Sequence, residues 1–185
     1  MKMVFPGLGY KEKAIEYIKE FYTYGSEISG SGSLDRFLRE STYERWLEQL
    51  VKNMDIANLP ETMAPSLTYF YVREEDDKII GMINIRLALN EFLRKEAGHI
   101  GYSVRPTERR KQYATAMLRE GLRVCGIMGI EDVIVSCDKS NIASAKVIQN
   151  CGGELDAEFY SETFRETLQR YVIKRKNENS APTVG

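Results

Sequence analysis

Apolar residues recur at helical spacing over the first third of the chain and then change period. Over residues 10–24, Ile15, Ile18, Phe21 and Tyr22 fall on one side, which predicts a helix. The Gly- and Ser-rich run Gly25 to Ser33 breaks the pattern and predicts a loop. A second helix is predicted over 34–54, with Phe37, Leu38, Trp46, Leu47 and Leu50 buried, and residues 58–65, with two prolines, form a connection. From Ser66 the pattern is that of strands. Residues 67–73 and 79–87, rich in aromatic and β-branched side chains around the charged turn 74–78, predict a β-hairpin. Residues 88–96 predict a helical turn, and 99–105 a third strand ended by Pro106.

A helix follows from Gln112 to about Met128. Ala114, Met117, Leu118, Gly121, Val124 and Cys125 occupy i, i+3, i+4, i+7, i+10 and i+11, a single apolar stripe. Val133, Ile134 and Val135 are apolar in succession, as in a central parallel strand over 132–137. Ser140 or Asn141 can cap a helix to about Asn150, with Gly152 and Gly153 ending it. Strands at 154–161 and 167–174 close the chain, and residues 177–185 predict a frayed tail. Early strands joined by turns and later ones joined by helices imply a mixed sheet in one α/β domain.

Composition narrows the chemistry. With 26 Lys and Arg against 27 Asp and Glu the net charge is −1, which argues against a chain that works mainly on nucleic acid. The 185 residues suit one domain, and 43% hydrophobic content excludes wholesale disorder. Cys125, Cys137 and Cys151 are odd in number and lack CxxC spacing, so neither a disulfide framework nor a metal site is expected. No apolar run of about 18 residues is available for a membrane span, and Met1 to Pro6 lacks a signal-type apolar segment. A cytoplasmic location is the expectation.

Gly30-Ser-Gly32 is not a phosphate loop, since it lacks a preceding strand, a third glycine and a following Gly-Lys-Ser/Thr. His99, the one histidine, suits a packing role more readily than a catalytic one. The informative stretch is Val104 to Leu118: a strand ends at proline, a basic loop follows, and a helix begins inside the loop. The first N–H groups of a helix lack intrahelical partners, and its dipole favours an anion there. Arg109, Arg110 and Lys111 add full charges, so the segment predicts a pyrophosphate site.

This segment resembles the acyl-CoA signature of the GNAT superfamily of N-acetyltransferases, Gln/Arg-x-x-Gly-x-Gly/Ala. Arg109 matches the first position and Ala114 the last, whereas Gln112 stands in place of glycine. Either Gln112 weakens CoA binding or it keeps an ordinary helical φ. The stretch Asp138 to Gly152 resembles the family's Asn-x-x-Ala/Ser-x-x-Leu-Tyr-x-x-x-Gly, with Asn141, Ser144, Val147 and Gly152 in register and Ile148 replacing tyrosine. The resemblance covers residues 66–174 and implies a single domain over 1–176, with helical substrate-side elements in 1–60. It implies a central mixed sheet flanked by helices, with splayed central parallel strands.

It also implies acetyl-CoA as acyl donor. Tyr102, Ser103 and Val104 would meet the pantetheine and thioester. Arg109, Arg110, Lys111, Gln112, Tyr113, Ala114 and Thr115 would meet the pyrophosphate, and Asn141 and Ser144 the pantetheine arm. The acceptor would be a small-molecule or peptide amine, with a homodimer left open and no nucleic acid, membrane or metal involved. Ser144 is the leading acid candidate. Glu96 and His99, flanking Gly98 where relatives place an acidic base, are the base candidates. A CoA-binding regulatory domain without transferase activity is the alternative.

Overall fold

The computed structural model describes residues 1–55, 57, 59, 60 and 63–174; the tail predicted at 177–185 lies outside the described residues. The chain runs β1 (Lys2–Val4), α1 (Lys11–Thr23), α2 (Leu34–Glu40), α3 (Tyr43–Lys52), β2 (Ser66–Arg73) and β3 (Lys78–Arg86). It continues through β4 (Ile100–Val104), α4 (Tyr113–Ile127), β5 (Asp132–Asp138), α5 (Ile142–Asn150), β6 (Gly153–Ser161) and β7 (Glu166–Lys174). One π-helical turn, Leu93–Ala97, precedes β4. No described helix is long and apolar enough to cross a membrane.

The strands form two sheets, β1-β2-β3-β4 and β5-β7-β6. Every strand pairing among the described residues is antiparallel, and the two central strands expected to be splayed and parallel lie in separate sheets. β4 and β5 diverge, and the sheets meet through an isolated antiparallel bridge between Gly98 and Val135. The apolar run in β5 has a different cause from the one expected. Val133 and Val135 are buried beneath the helices while Ile134 is half-buried on the other face, the alternation of a strand with unlike surroundings on its two sides.

Two apolar cores flank the first sheet. Ile83, Ile85, Met117, Leu118, Val135 and Ile148 pack together where α4 and α5 cover both sheets. On the opposite face α1, α2 and α3 lay Tyr17, Phe21, Leu34 and Trp46 over Phe70 and Met82. β3 is therefore buried on both faces along most of its length. Burying each such side chain contributes roughly 1.5–3 kcal/mol.

The helix expected over 34–54 is two helices. Ser41, at φ −154° and ψ −135°, leaves helical geometry, and the Thr42 side chain restarts it by accepting from the Arg45 N–H at 3.2 Å. The break turns α3 so that Tyr43 donates to the Gly7 carbonyl and Trp46 to that of Gly32. Strand β1, absent from the sequence-based expectations, pairs with β2 through Lys2–Val72 and Val4–Phe70.

Candidate functional site

β4 hands the chain to α4 through a rigidly held loop. Arg105, fully buried, donates to the Ile79 carbonyl and to Glu16 and Glu20 of α1. Glu20 also accepts from the N–H and the hydroxyl of Thr107, at 2.9 and 2.8 Å. Arg110 and Gln112 then adopt left-handed geometry, both at φ 63°. Gln112 thus lacks the ordinary helical φ considered above. It occupies the conformation for which glycine is suited, at a cost of about 1–2 kcal/mol to another residue.

No side chain caps α4, so its first N–H groups face a cavity of about 670 Å3 without a side-chain acceptor. Gln112, Tyr113, Ala114 and Thr115 line that cavity, together with Arg109 and Arg110. Arg109 is pinned to the wall, donating to the Val104 carbonyl and to Ser26 and lying over the Phe21 ring. Lys111 does not line the cavity; it pairs at 2.8 Å with Glu108, which is buried and also holds Arg73. Of the three predicted cations, two face the site. Orphan N–H donors beside two guanidinium groups are a donor set that fits a pyrophosphate.

The opposite wall is the first turn of α5. Asn141 caps it, its Oδ1 accepting from the Ser144 N–H at 3.0 Å, which leaves the amide NH2 as a donor toward the cavity. Between the walls lies the outer edge of β4, with Tyr102, Ser103 and Val104. Ser103 donates to the Ser29 carbonyl at 2.6 Å and Tyr17 donates to the Ser103 carbonyl, which draws the α1–α2 connection against β4. That connection lies very close. A Cβ on Gly30, whose φ is +72°, would stand 2.2 Å from the Gly101 carbonyl oxygen.

A second cavity, about 400 Å3, opens on the other side of the same junction. Tyr102, Ser144, Asn141, Glu27 and Ser29 line both. The Tyr102 and Ser144 hydroxyls are 2.9 Å apart, and burial pushes the phenol above the usual range. Cys137, also on this wall, has its thiol pushed up to about 11 by burial. Ile148, in the place of the family tyrosine, is buried in the core and lines neither cavity.

Of the base candidates, Glu96 lines the smaller cavity and accepts from the Ser161 hydroxyl at 2.7 Å. His99 lines neither cavity. Its Nδ1 accepts the Ile134 N–H at 2.9 Å, and its backbone N–H donates to the Ile134 carbonyl at 2.7 Å, so it fastens the two sheets where they diverge. Burial first, then Arg94 and Arg86, lowers its pKa to about 4. Gly98 can carry no side chain, because a Cβ would sit 2.4 Å from the Ile134 carbonyl oxygen. The smaller cavity also holds Glu27, Asp138 and Glu166, which sequence reasoning did not single out as acid or base candidates. They are far apart along the chain, and although Asp138 opens the stretch that resembles the second family segment, nothing there links it to Glu27 or Glu166, so only the fold brings them together.

Residues 31–154 match the family model described as an acetyltransferase (GNAT) domain. No curated protein matches the chain. Among solved structures, the chain is similar to the microcin C7 self-immunity acetyltransferase MccE in complex with acetyl-CoA and AMP, at TM-score 0.65 and 16% identity, covering 94% of this chain and 91% of that one. It is similar to the ribosomal-protein-S5-alanine acetyltransferase of Vibrio fischeri, at TM-score 0.64 and 16% identity over 98% and 94% of the two chains. A chimera of the Vibrio cholerae spermidine N-acetyltransferase SpeG matches at TM-score 0.61 and 11% identity over 94% and 96%. At such identities the likeness is one of fold.

Proposed function

Because the chain belongs to the GNAT acetyltransferase domain family, we propose that it transfers the acetyl group of acetyl-CoA to an amine held in the smaller cavity. The observation that carries this reading is the junction. The larger cavity has an uncapped, cation-flanked helix start at one end, and its other end is shared with the smaller cavity at Tyr102, Ser144 and Asn141.

Arg109, Arg110 and the first N–H groups of α4 hold the pyrophosphate, and the Asn141 amide steadies the pantetheine arm. Bound acetyl-CoA supplies the acetyl group as a thioester, with no covalent enzyme intermediate. The edge of β4 turned toward β5 belongs to no strand ladder, so its N–H groups can stabilise the oxyanion that forms at the carbonyl. The paired hydroxyls of Tyr102 and Ser144 supply a proton to the departing sulfur. The α1–α2 connection walls the acceptor side.

Release of thiol from acetyl-CoA with a panel of primary amines tests the reading, alongside calorimetric titration of acetyl-CoA. Binding and release are both expected. The burial of Ile148, which removes the family's tyrosine from the cavity, favours a second reading as a CoA-binding regulatory domain; binding with no release for any amine would select it.

A further inference from the structure

One face of β3 changes character partway along the strand. Ile83 and Ile85 stay apolar beneath α4, whereas the face that lies under α1 and α3 at Met82 continues as Asn84 and Arg86. Both of these residues line the smaller cavity. Asn84 is only 8% exposed, and its Nδ2 donates to the Thr68 hydroxyl at 3.0 Å and to the Leu67 carbonyl at 3.4 Å. The carbonyl can only accept, which fixes the amide's orientation and leaves Oδ1 without a donor among the described residues.

Arg86 is half-buried, and its Nη1 donates to the Gly98 carbonyl at 2.9 Å and to the Ala97 carbonyl at 3.4 Å. Its Nε and Nη2, which share another edge of the guanidinium, make no hydrogen bond among the described residues. No carboxylate among those residues forms an ion pair with it. Burial lowers its pKa with no nearby acid to offset the effect. A charge drawn out of water without a counter-ion is costly, so a cation left in this state on a cavity wall calls for an anion from outside the chain. The bare edge presents two parallel N–H groups, the geometry of a carboxylate. A phosphate, with up to two charges, would meet Glu27, Asp138 and Glu166 in the same cavity.

A carboxylate site beside an unused oxygen acceptor is complementary to the head of an α-amino acid, which presents an anion and an ammonium on adjacent atoms. We propose that the acceptor is a diamino acid whose α-carboxylate pairs with Arg86, whose α-ammonium donates to Asn84 Oδ1, and whose side-chain amine receives the acetyl group. This rests on the transferase reading above. The spacing agrees with it. The point midway between Asn84 and Arg86 lies two residues along β3 from Ile83, which pairs with Tyr102 at the cavity junction, so about 7 Å of strand separates head from junction. That is the reach of a side chain of four methylenes. In the reaction the C–N bond forms as the C–S bond of the donor breaks with its electron pair leaving on sulfur. Of the two protons that the side-chain ammonium gives up, one goes to the sulfur and one to solvent.

Three amines of one length test the proposal: lysine, cadaverine, which lacks the carboxylate, and 6-aminohexanoate, which lacks the α-amine. In calorimetric titrations and in KM, lysine should surpass cadaverine by about tenfold or more and 6-aminohexanoate by about threefold or more. The product should carry its acetyl group on the side-chain nitrogen, as mass spectrometry of the fragmented product would show. In Arg86→Gln the advantage of lysine over cadaverine should fall below about threefold, with acetyl-CoA affinity unchanged because residue 86 lies outside the larger cavity. Cadaverine binding as well as lysine in the wild type, equal losses with both amines in Arg86→Gln, or acetylation at the α-nitrogen would each overturn the proposal. A protein that prefers lysine in the titrations but releases no thiol with any amine would instead overturn the transferase reading, and with it the transfer step alone.

Discussion

Tyr102 and Ser144 share one hydrogen bond, yet they are not equivalent. Ser144 also serves α5, its N–H bonded to Asn141, and alanine in its place keeps that cap. Tyr102→Phe removes the phenol that reaches both cavities. Tyr102→Phe should therefore lower kcat by roughly 10–10²-fold, modest for acid catalysis because a thiolate leaves readily, while Ser144→Ala should cost only a few-fold. Rates at saturating donor check the order of the two effects. His99 makes a different prediction. Its pKa is lowered from 6.5 to about 4, so the folded state favours the neutral ring that accepts the Ile134 N–H. That contribution is complete above about pH 6.5 and is lost as pH falls through about 4, amounting to about 3 kcal/mol. His99→Asn retains an acceptor without a titrating ring. Its stability should fall less steeply than that of the wild type between those pH values, as denaturant melts at successive pH values would show.

Among the elements, the connection between α1 and α2 controls both cavities while contributing no regular structure. Gly30→Ala forces a Cβ toward the Gly101 carbonyl at a positive φ, so the segment must lift from β4. The expected result is a loss of about 1–3 kcal/mol in stability with a rise in KM for donor and acceptor together, measured by thermal melts and initial rates. The sequence marked this stretch as a loop but could not show why residue 30 is glycine, because the Gly101 carbonyl it avoids lies about seventy residues away. Periodicity located α1, the β2–β3 hairpin, α4 and α5 because each has one apolar face and local end signals. It ran α2 and α3 together because both present the same stripe, and only Ser41 and Thr42 interrupt it. It missed β1, too short at Lys2–Val4 to show a period. The stretch at the start of α4 could be singled out because Arg109 to Thr115 are contiguous. Lys111 turned away because Glu108, three residues before it, offered a buried partner. The acids of the smaller cavity were illegible because nothing in the sequence pairs residue 27 with residues 138 and 166.

For the whole molecule, the larger cavity sits where the two sheets separate, with β4 on one side and α5 on the other. A donor bound there adds to the contacts that already join these parts of the fold, among them the Gly98–Val135 bridge, the His99–Ile134 and Tyr102–Ser144 hydrogen bonds and the shared core beneath α4 and α5. At about 100 times its Kd, acetyl-CoA should raise stability by roughly 2.7 kcal/mol. Hydrogen exchange should slow in β5 and the first turn of α4 together, and protection confined to one side would contradict the bridging role. The same division has a consequence for the chain as a string. All strands of the first sheet lie before residue 105, and all strands of the second lie after residue 131. Between them Gly129 sits in the open, with φ 75° and nothing near its Cβ position. A polypeptide cut at that glycine parts into two pieces, each keeping a complete sheet and half of the shared core. Produced separately and mixed, the pieces should find one another and restore thiol release, at a rate that rises with the concentration of either piece.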